Sequence, residues 1–167
     1  MLFVTVFAVL AALAMADAQP QYYSFSPPVG SAVGSPYSVT GDGRITAIRV
    51  WEAYNRNIKG FQFRYGFVWS PVAGYQSGRP QELELFDGET IVQISGKYAY
   101  FLQTVAFVTN RGRSLFVGQP HGYSFNMYPT NNQAELRFIN GRSHGSITSI
   151  GAHWALVDPV FNNTTGH

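Results

Sequence analysis

Residues Gly141 to Trp154 read GRSHGSITSIGAHW: glycine, serine, histidine and one arginine, turning apolar in the second half. That is a shaped loop running into a strand, and loops on a rigid scaffold often carry function. The loop offers hydroxyls, an imidazole and backbone amides but no carboxylate. In TNRGRS (Thr109 to Ser114), Arg111 and Arg113 flank Gly112. A guanidinium fork there matches a sulfate or carboxylate, though two solvated arginines on a turn would read the same. His144 could hydrogen-bond a ligand and gain charge as pH falls through roughly 6.5; the plainer reading is an exposed loop residue that narrows a site. His153, beside Trp154, reads as structural. Tyr54, Tyr98 and Tyr100 could stack on the apolar face of a ligand, but are expected to close the ends of a core.

Catalytic chemistry finds no frame. There is no His-Glu-x-x-His, phosphate loop or nucleophile elbow. Glu82 and Glu84 lie two apart on the outer face of a strand and are expected to solvate it rather than form a glycosidase pair. The histidines at 121, 144, 153 and 167 lack metal-ligand spacing, and there is no cysteine for a thiolate site or a disulfide. A non-enzymatic protein with neither metal nor cofactor is expected.

The elements that must position these residues follow from composition. The 167 residues suffice for one domain with a core, and a formal charge of +2 is too mild to argue for nucleic acid. Aromatics at 16% with only 12% charged residues, and abundant glycine and proline, point to an all-β protein. Met1 to Ala16 has no charged side chain and closes on small residues, with Asp17 interrupting before the roughly 20 apolar residues of a membrane span. Residues 1–18 are read as a secretory signal, without an integral span. An extended arm over 19–30, a domain over 31–157 and a polar tail over 158–167 follow. NNTT offers overlapping N-glycosylation acceptors at Asn162 and Asn163, or simply a polar tail.

Strands dominate from Gly43. FQFRYG alternates Phe61, Phe63 and Tyr65 with Gln62 and Arg64. ELELFDGETIVQI places Leu83 and Leu85 opposite Glu82 and Glu84, with Asp87-Gly88 suited to a tight hairpin turn. A two-part pattern occurs three times. Ile45-x-x-Ile48-x-Val50 recurs from Ile91 and from Leu136; Ile58-x-x-Phe61-x-Phe63 recurs from Leu102 and from Ile147. The i, i+3 step predicts a bulge or bend. A threefold β repeat of this period fits a prism of three four-stranded sheets or a trefoil, with loops gathered at one end of the pseudo-axis.

GRITAIRVWEAYNRNIKGFQFRYGFVWS, IVQISGKY, AFVTNRGRSLFVG and LRFINGRSHGSITSIGAHW, within Ser31 to Trp154, resemble the secreted jacalin-related lectins. The resemblance implies a β-prism I fold, three Greek-key four-stranded sheets with pseudo-threefold symmetry. It implies one mannose-type sugar site without metal, and an association with secretory granules and mucus; some members bind sulfated glycans. Three loops would build the site: GSAVGSP (Gly30 to Pro36), TNRGRS, and a Gly-x-x-x-Asp loop matched by the stretch after Gly141. Here the Asp falls on Thr148 and the leading Gly on His144, or on Ser149 and Gly145 after a one-residue shift. Either way the acceptor-only carboxylate is lost, and a hydroxyl must also place its own proton. The expected carbohydrate contacts are Gly34, Arg111, Gly112, Arg113, His144, Gly145 and Thr148. The expected function is a secreted lectin shifted from plain mannose, with glycans or glycoproteins, sulfated or acidic ones among them, as partners. The alternative on the same fold is a packing protein of granules or mucus that binds no sugar.

Overall fold

The computed structural model describes residues 23–156, so the expected signal, the tail and both glycosylation acceptors lie outside it. Thirteen strands appear and, among the described residues, no helix: β1 (Tyr23–Gly30), β2 (Ser35–Val39), β3 (Ile45–Glu52), β4 (Ile58–Tyr65), β5 (Val68–Trp69), β6 (Ala73–Gly74), β7 (Gln81–Glu84), β8 (Ile91–Tyr98), β9 (Leu102–Thr109), β10 (Ser114–Gly118), β11 (Tyr123–Met127), β12 (Glu135–Ser143) and β13 (Ile147–Ala155). They make three antiparallel sheets ordered β1-β13-β12-β2, β5-β4-β3-β7 and β10-β9-β8-β11. The first joins the two ends of the described residues, which is why the arm expected before residue 31 is, from Tyr23 onward, an integral outer strand.

The threefold repeat is the core. Ile45, Ile48, Val50, Ile58, Phe61, Phe63, Ile91, Ile94, Leu102, Val105, Phe107, Leu136, Ile139, Ile147, Ile150 and Ala152 all pack in one buried cluster. Phe107 meets Phe61 and Phe63 edge-on at 6.0 and 5.7 Å, joining two sheets across the axis. The i, i+3 step is a bulge at the same place in each copy: register shifts fall between Ile45 and Ala47, Ile91 and Gln93, and Leu136 and Phe138. The extra residue returns the next apolar side chain to the inner face.

Two details depart from expectation. The second sheet has five strands, because β5 and β6 share one outer position on β4; Pro71, lacking an N–H, interrupts the ladder between them. Asp87-Gly88 does not close a hairpin. β7 pairs with β3 and β8 with β9, so the turn carries the chain between sheets. Glu82 and Glu84 do face outward, paired with Arg49 at 2.6 Å and Arg64 at 2.9 Å.

The prism has two distinct ends. At one, the β3–β4 and β12–β13 turns meet, with Ser146 Oγ 3.4 Å from Asn57 Oδ1. The pseudo-symmetry puts the β8–β9 turn there too; this is the hairpin end. At the other, the base, Arg44 before β3 pairs with Glu135 at the start of β12. There the Tyr65 hydroxyl lies 2.9 Å from both the Val39 and Arg137 carbonyl oxygens and shares its one proton between them.

Candidate functional site

The loop between β1 and β2 crosses the hairpin end of β12 and β13. Gly30 pairs with Ser149 and Ser35 with Ser143, so residues 31–34 span both strands. The crossing is tight. A Cβ on Gly34 (φ +103°) would lie 2.2 Å from the Ser143 carbonyl oxygen, which only glycine avoids. Three hydrogen bonds stitch the loop down: the Ser31 N–H donates to Thr148 O at 2.8 Å, the Thr148 hydroxyl to Val33 O at 2.7 Å, and Arg142 Nη1 to Gly34 O at 2.7 Å. The β12–β13 turn is closed by the His144 N–H on Ser146 O, with Gly145 at φ +69°.

Gly34, His144, Gly145 and Thr148 are therefore brought together as expected, but they do not offer the same chemistry. His144 and Gly145 are exposed at the tip. Thr148 has 0% exposure and its only proton is held by Val33. It cannot stand in for a ligand-facing carboxylate; it is a fastener for the loop.

Arg111, Gly112 and Arg113 are elsewhere. Their turn joins β9 to β10, and Thr109 pairs with Ile91 at the start of β8, so it lies at the base, a strand length or about 25 Å from the β12–β13 turn. There Arg113 Nη1 bonds Glu89 Oε2 at 2.8 Å and Glu84 O at 3.2 Å, and Arg111 Nη2 bonds Asp87 O. Both guanidinium groups lie over Phe86. Glu89 is buried, which alone would raise its pKa; the Phe86 N–H, the Thr109 hydroxyl and Arg113 outweigh this and hold the carboxyl below its usual range. The two arginines brace the base and do not join the hairpin-end site.

The hairpin end carries groups that inspection of single motifs missed. Tyr54, 90% exposed, and Tyr100 project from their turns instead of closing the core, whereas Tyr98 does pack against it. Arg56, Lys59, Lys97 and Arg142 belong to the turns or adjoining strand ends. None is in an ion pair among the described residues: all four pairs join Arg44, Arg49, Arg64 or Arg113 to their carboxylates. Glu52 is the one described carboxylate at this end, and it accepts from Gln119 Nε2. The repeat itself held the signal, since it places these turns together.

His153 is structural, as expected. It stacks on Phe138 at 4.0 Å, bonds the Tyr23 hydroxyl through Nδ1, and lies 3.2 Å from Asn140 Oδ1 through Nε2. Burial pushes its pKa down. Among the described residues no three His, Asp or Glu side chains cluster as metal ligands, and no helix is long and apolar enough to cross a membrane.

The jacalin-like lectin domain model matches residues 26–153, nearly all of the described chain. The chain belongs to the jacalin-like lectin family. Zymogen granule membrane protein 16 of Homo sapiens is 42% identical over 158 residues, covering 92% of this chain and 94% of that protein. Its Mus musculus counterpart is also 42% identical, with the same coverage. Among solved structures, a prostate-specific WGA16 glycoprotein lectin superposes with a TM-score of 0.71 at 35% identity, over 80% of this chain and 99% of that one. A mannose-binding lectin from Champedak, with a TM-score of 0.69 at 22% identity over 80% of this chain and 97% of that one, supports the fold alone. The three-sheet prism is thus the β-prism I fold, and lectins are non-enzymatic carbohydrate-binding proteins.

Proposed function

We propose that this chain is a secreted lectin whose specificity has moved from plain mannose toward glycans bearing sulfate or carboxylate groups. The observation that carries the reading is the segregation of charge. The hairpin end, where the lectin loops meet, collects Arg56, Lys59, Lys97 and Arg142 without ion pairs among the described residues, against Glu52. At the base Glu84, Glu89 and Glu135 are each paired with an arginine. A cationic end attracts anionic glycans over about one Debye length, roughly 8 Å at physiological salt. The position matching the family's mannose-gripping Asp is a buried Thr148 with its proton committed. A monosaccharide held at millimolar Kd has only about −4 kcal/mol of binding free energy, and losing charge-assisted bonds of roughly 1.5–3 kcal/mol each removes most of it.

A glycan array of the chain from Gln19 onward, run at low and physiological salt, tests this. Binding is expected to sulfated or uronate-bearing glycans, weakening as salt rises. Selective binding to neutral high-mannose glycans would refute the shift. The Thr148–Val33 bond, which holds the loop closed, favours one rival, a packing protein of granules or mucus that binds no sugar; it predicts a blank array at both salts. Secretion rests on the charge-free Met1–Ala16 run. It predicts that the protein recovered from culture medium begins near Gln19. The granule-protein relatives fit delivery through secretory granules.

A further inference from the structure

We infer that the outer face of the β1-β13-β12-β2 sheet holds a seat for a sulfate or carboxylate group, in a groove beside the 31–34 loop. The inference rests on the acidic-glycan reading and adds where the anion binds. The groove has a volume of about 300 Å³, and Pro28, Ser31, Pro36, Asn140, Arg142 and Ser149 are among its lining residues. No carboxylate lines it.

The hydrogen-bond pattern selects the ligand. Arg142 and Ser149 are cross-strand partners, and Asn140 lies two residues before Arg142 on the same face. The Ser149 hydroxyl oxygen already accepts the Arg142 backbone N–H at 2.9 Å, so its proton is free to donate. Arg142 Nη1 donates to Gly34 O, which anchors the guanidinium and leaves its other N–H groups free. The orientation of Asn140 is set from outside. Asn140 Oδ1 lies 3.2 Å from His153 Nε2 and can only accept, which places the ring proton on Nε2 and leaves Nδ1 to accept from the Tyr23 hydroxyl. The Asn140 NH2 therefore has no partner among the described residues. Arg142 has no acceptor, and Asn140 Oδ1 and Ser149 Oγ each already hold one hydrogen bond, so the three side chains on this face offer chiefly donors. A neutral sugar hydroxyl needs a partner for its own proton; a sulfate or carboxylate oxygen only accepts and matches the set.

The other two sheets provide an internal comparison. On the β5-β4-β3-β7 sheet, Arg49 and Arg64 are paired with Glu82 and Glu84. On the β10-β9-β8-β11 sheet, Gln93, Ser95 and Asn126 bond one another and Lys97 bonds Ser124. On the β1-β13-β12-β2 face, by contrast, the groove's donors meet no carboxylate.

The test uses the chain from Gln19 onward and two probes, N-acetylglucosamine 6-sulfate and N-acetylglucosamine, titrated by NMR. The sulfated sugar is expected to shift the Asn140 side-chain amide and the Arg142 Nε–H, and the neutral sugar to leave them unmoved. Asn140→Asp keeps the acceptor for His153 but replaces the donor with an anionic oxygen, and should weaken the sulfated sugar about tenfold or more. Ser149→Ala should weaken it by a smaller factor, and an unchanged melting temperature for either variant shows the fold is kept. If the chain binds the sulfated sugar and both variants bind it equally well, the groove is not the seat, while the acidic-glycan reading stands. If neither the sulfated sugar nor any acidic glycan on the array binds, the reading falls and the inference with it.

Discussion

On the proposed reading Thr148→Asp puts the family's carboxylate back in sequence, and in this chain it should not create mannose binding. The Thr148 side chain is fully buried, with its hydroxyl 2.7 Å from the Val33 carbonyl oxygen. An ionised carboxylate there would face that oxygen at hydrogen-bond distance with no proton between them. Thr148→Val sets the baseline: it removes the donor with little change of shape and should cost about 1–2 kcal/mol, the penalty for one unsatisfied buried carbonyl. At this chain length that is a drop of roughly 2–8 °C in Tm. Thr148→Asp adds the burial of an unpaired charge, several kcal/mol more. Its folded-state pKa should lie above the unfolded value, so this excess cost applies above the folded pKa and fades as pH falls through it. Thermal melts at neutral pH and near pH 4, with mannose titrations on the same samples, check both parts. The expected result is a variant less stable than Thr148→Val at neutral pH, closer to it in acid, and without mannose binding. An aspartate variant as stable as wild type at neutral pH that binds mannose would refute the reasoning: position 148 would then face ligand, and the Val33 bond would not be what closes the loop.

Gly34→Ala should lift the 31–34 loop, because the added Cβ would sit 2.2 Å from Ser143 O at a backbone φ of +103°; glycan binding should fall at least about tenfold while the core, followed by far-ultraviolet circular dichroism, survives. Arg113→Ala strands the buried Glu89 and should cost on the order of 2 kcal/mol in urea unfolding, yet leave glycan binding unchanged, because its turn is at the base. Glu89 has a depressed folded pKa, so its contribution is present above the unfolded value of roughly 4.3 and is lost as pH falls through the folded one; Glu89→Gln should be less stable at neutral pH and show a flatter acid limb in melts taken from about pH 5 downward. His153 is also depressed, by burial, so the unfolded chain takes up its proton first; stability should decline as pH falls below roughly 6.5, and amide exchange in β1 should show it as faster opening than in His153→Gln.

The sequence and the structure agree where a residue's burial depends on the repeat, and diverge where its role depends on which end of a strand it occupies. The pattern starting at Ile45, Ile91 and Leu136 specified the core and even the bulges, because a bulge leaves an i, i+3 step in the string itself. The site loops were harder. GSAVGSP and GRSHGSIT meet as expected, since both terminate strands of the sheet that unites the ends of the described residues. TNRGRS was misplaced because an Arg-Gly-Arg turn has the same composition at either end of a strand. The repeat could have corrected it. The turn between the two halves of each copy falls at 53–57, 99–101 and 144–146, so the turn after the second half must lie at the opposite end. The burial of Thr148 was not legible at all. It depends on a hydroxyl meeting a carbonyl 115 positions away in sequence, and no local pattern encodes that contact.

That contact also explains why the loss of a carboxylate need not mean the loss of a lectin. With an Asp at 148, the 31–34 loop would have to leave room for an anion and whatever it grips. With Thr, the loop can close onto β13 through Val33, and the same closure carries Gly34 O to Arg142, whose guanidinium it anchors beside Asn140 and Ser149. On the proposed reading, one substitution acts on two places: it removes the acceptor at the hairpin tip and fixes a cation on the outer face of the same two strands. A reversal of ligand charge, from a protein carboxylate that grips hydroxyls to protein donors that grip an anionic group, needs no change of fold. The prediction that separates this from simple decay is reciprocal coupling: Thr148→Val should weaken the sulfated sugar together with the loop, although Thr148 does not line the groove. If Thr148→Val loosens the loop, seen as faster exchange of the Ser31 amide, yet leaves sulfated-sugar affinity untouched, the two places are independent and the argument from closure fails.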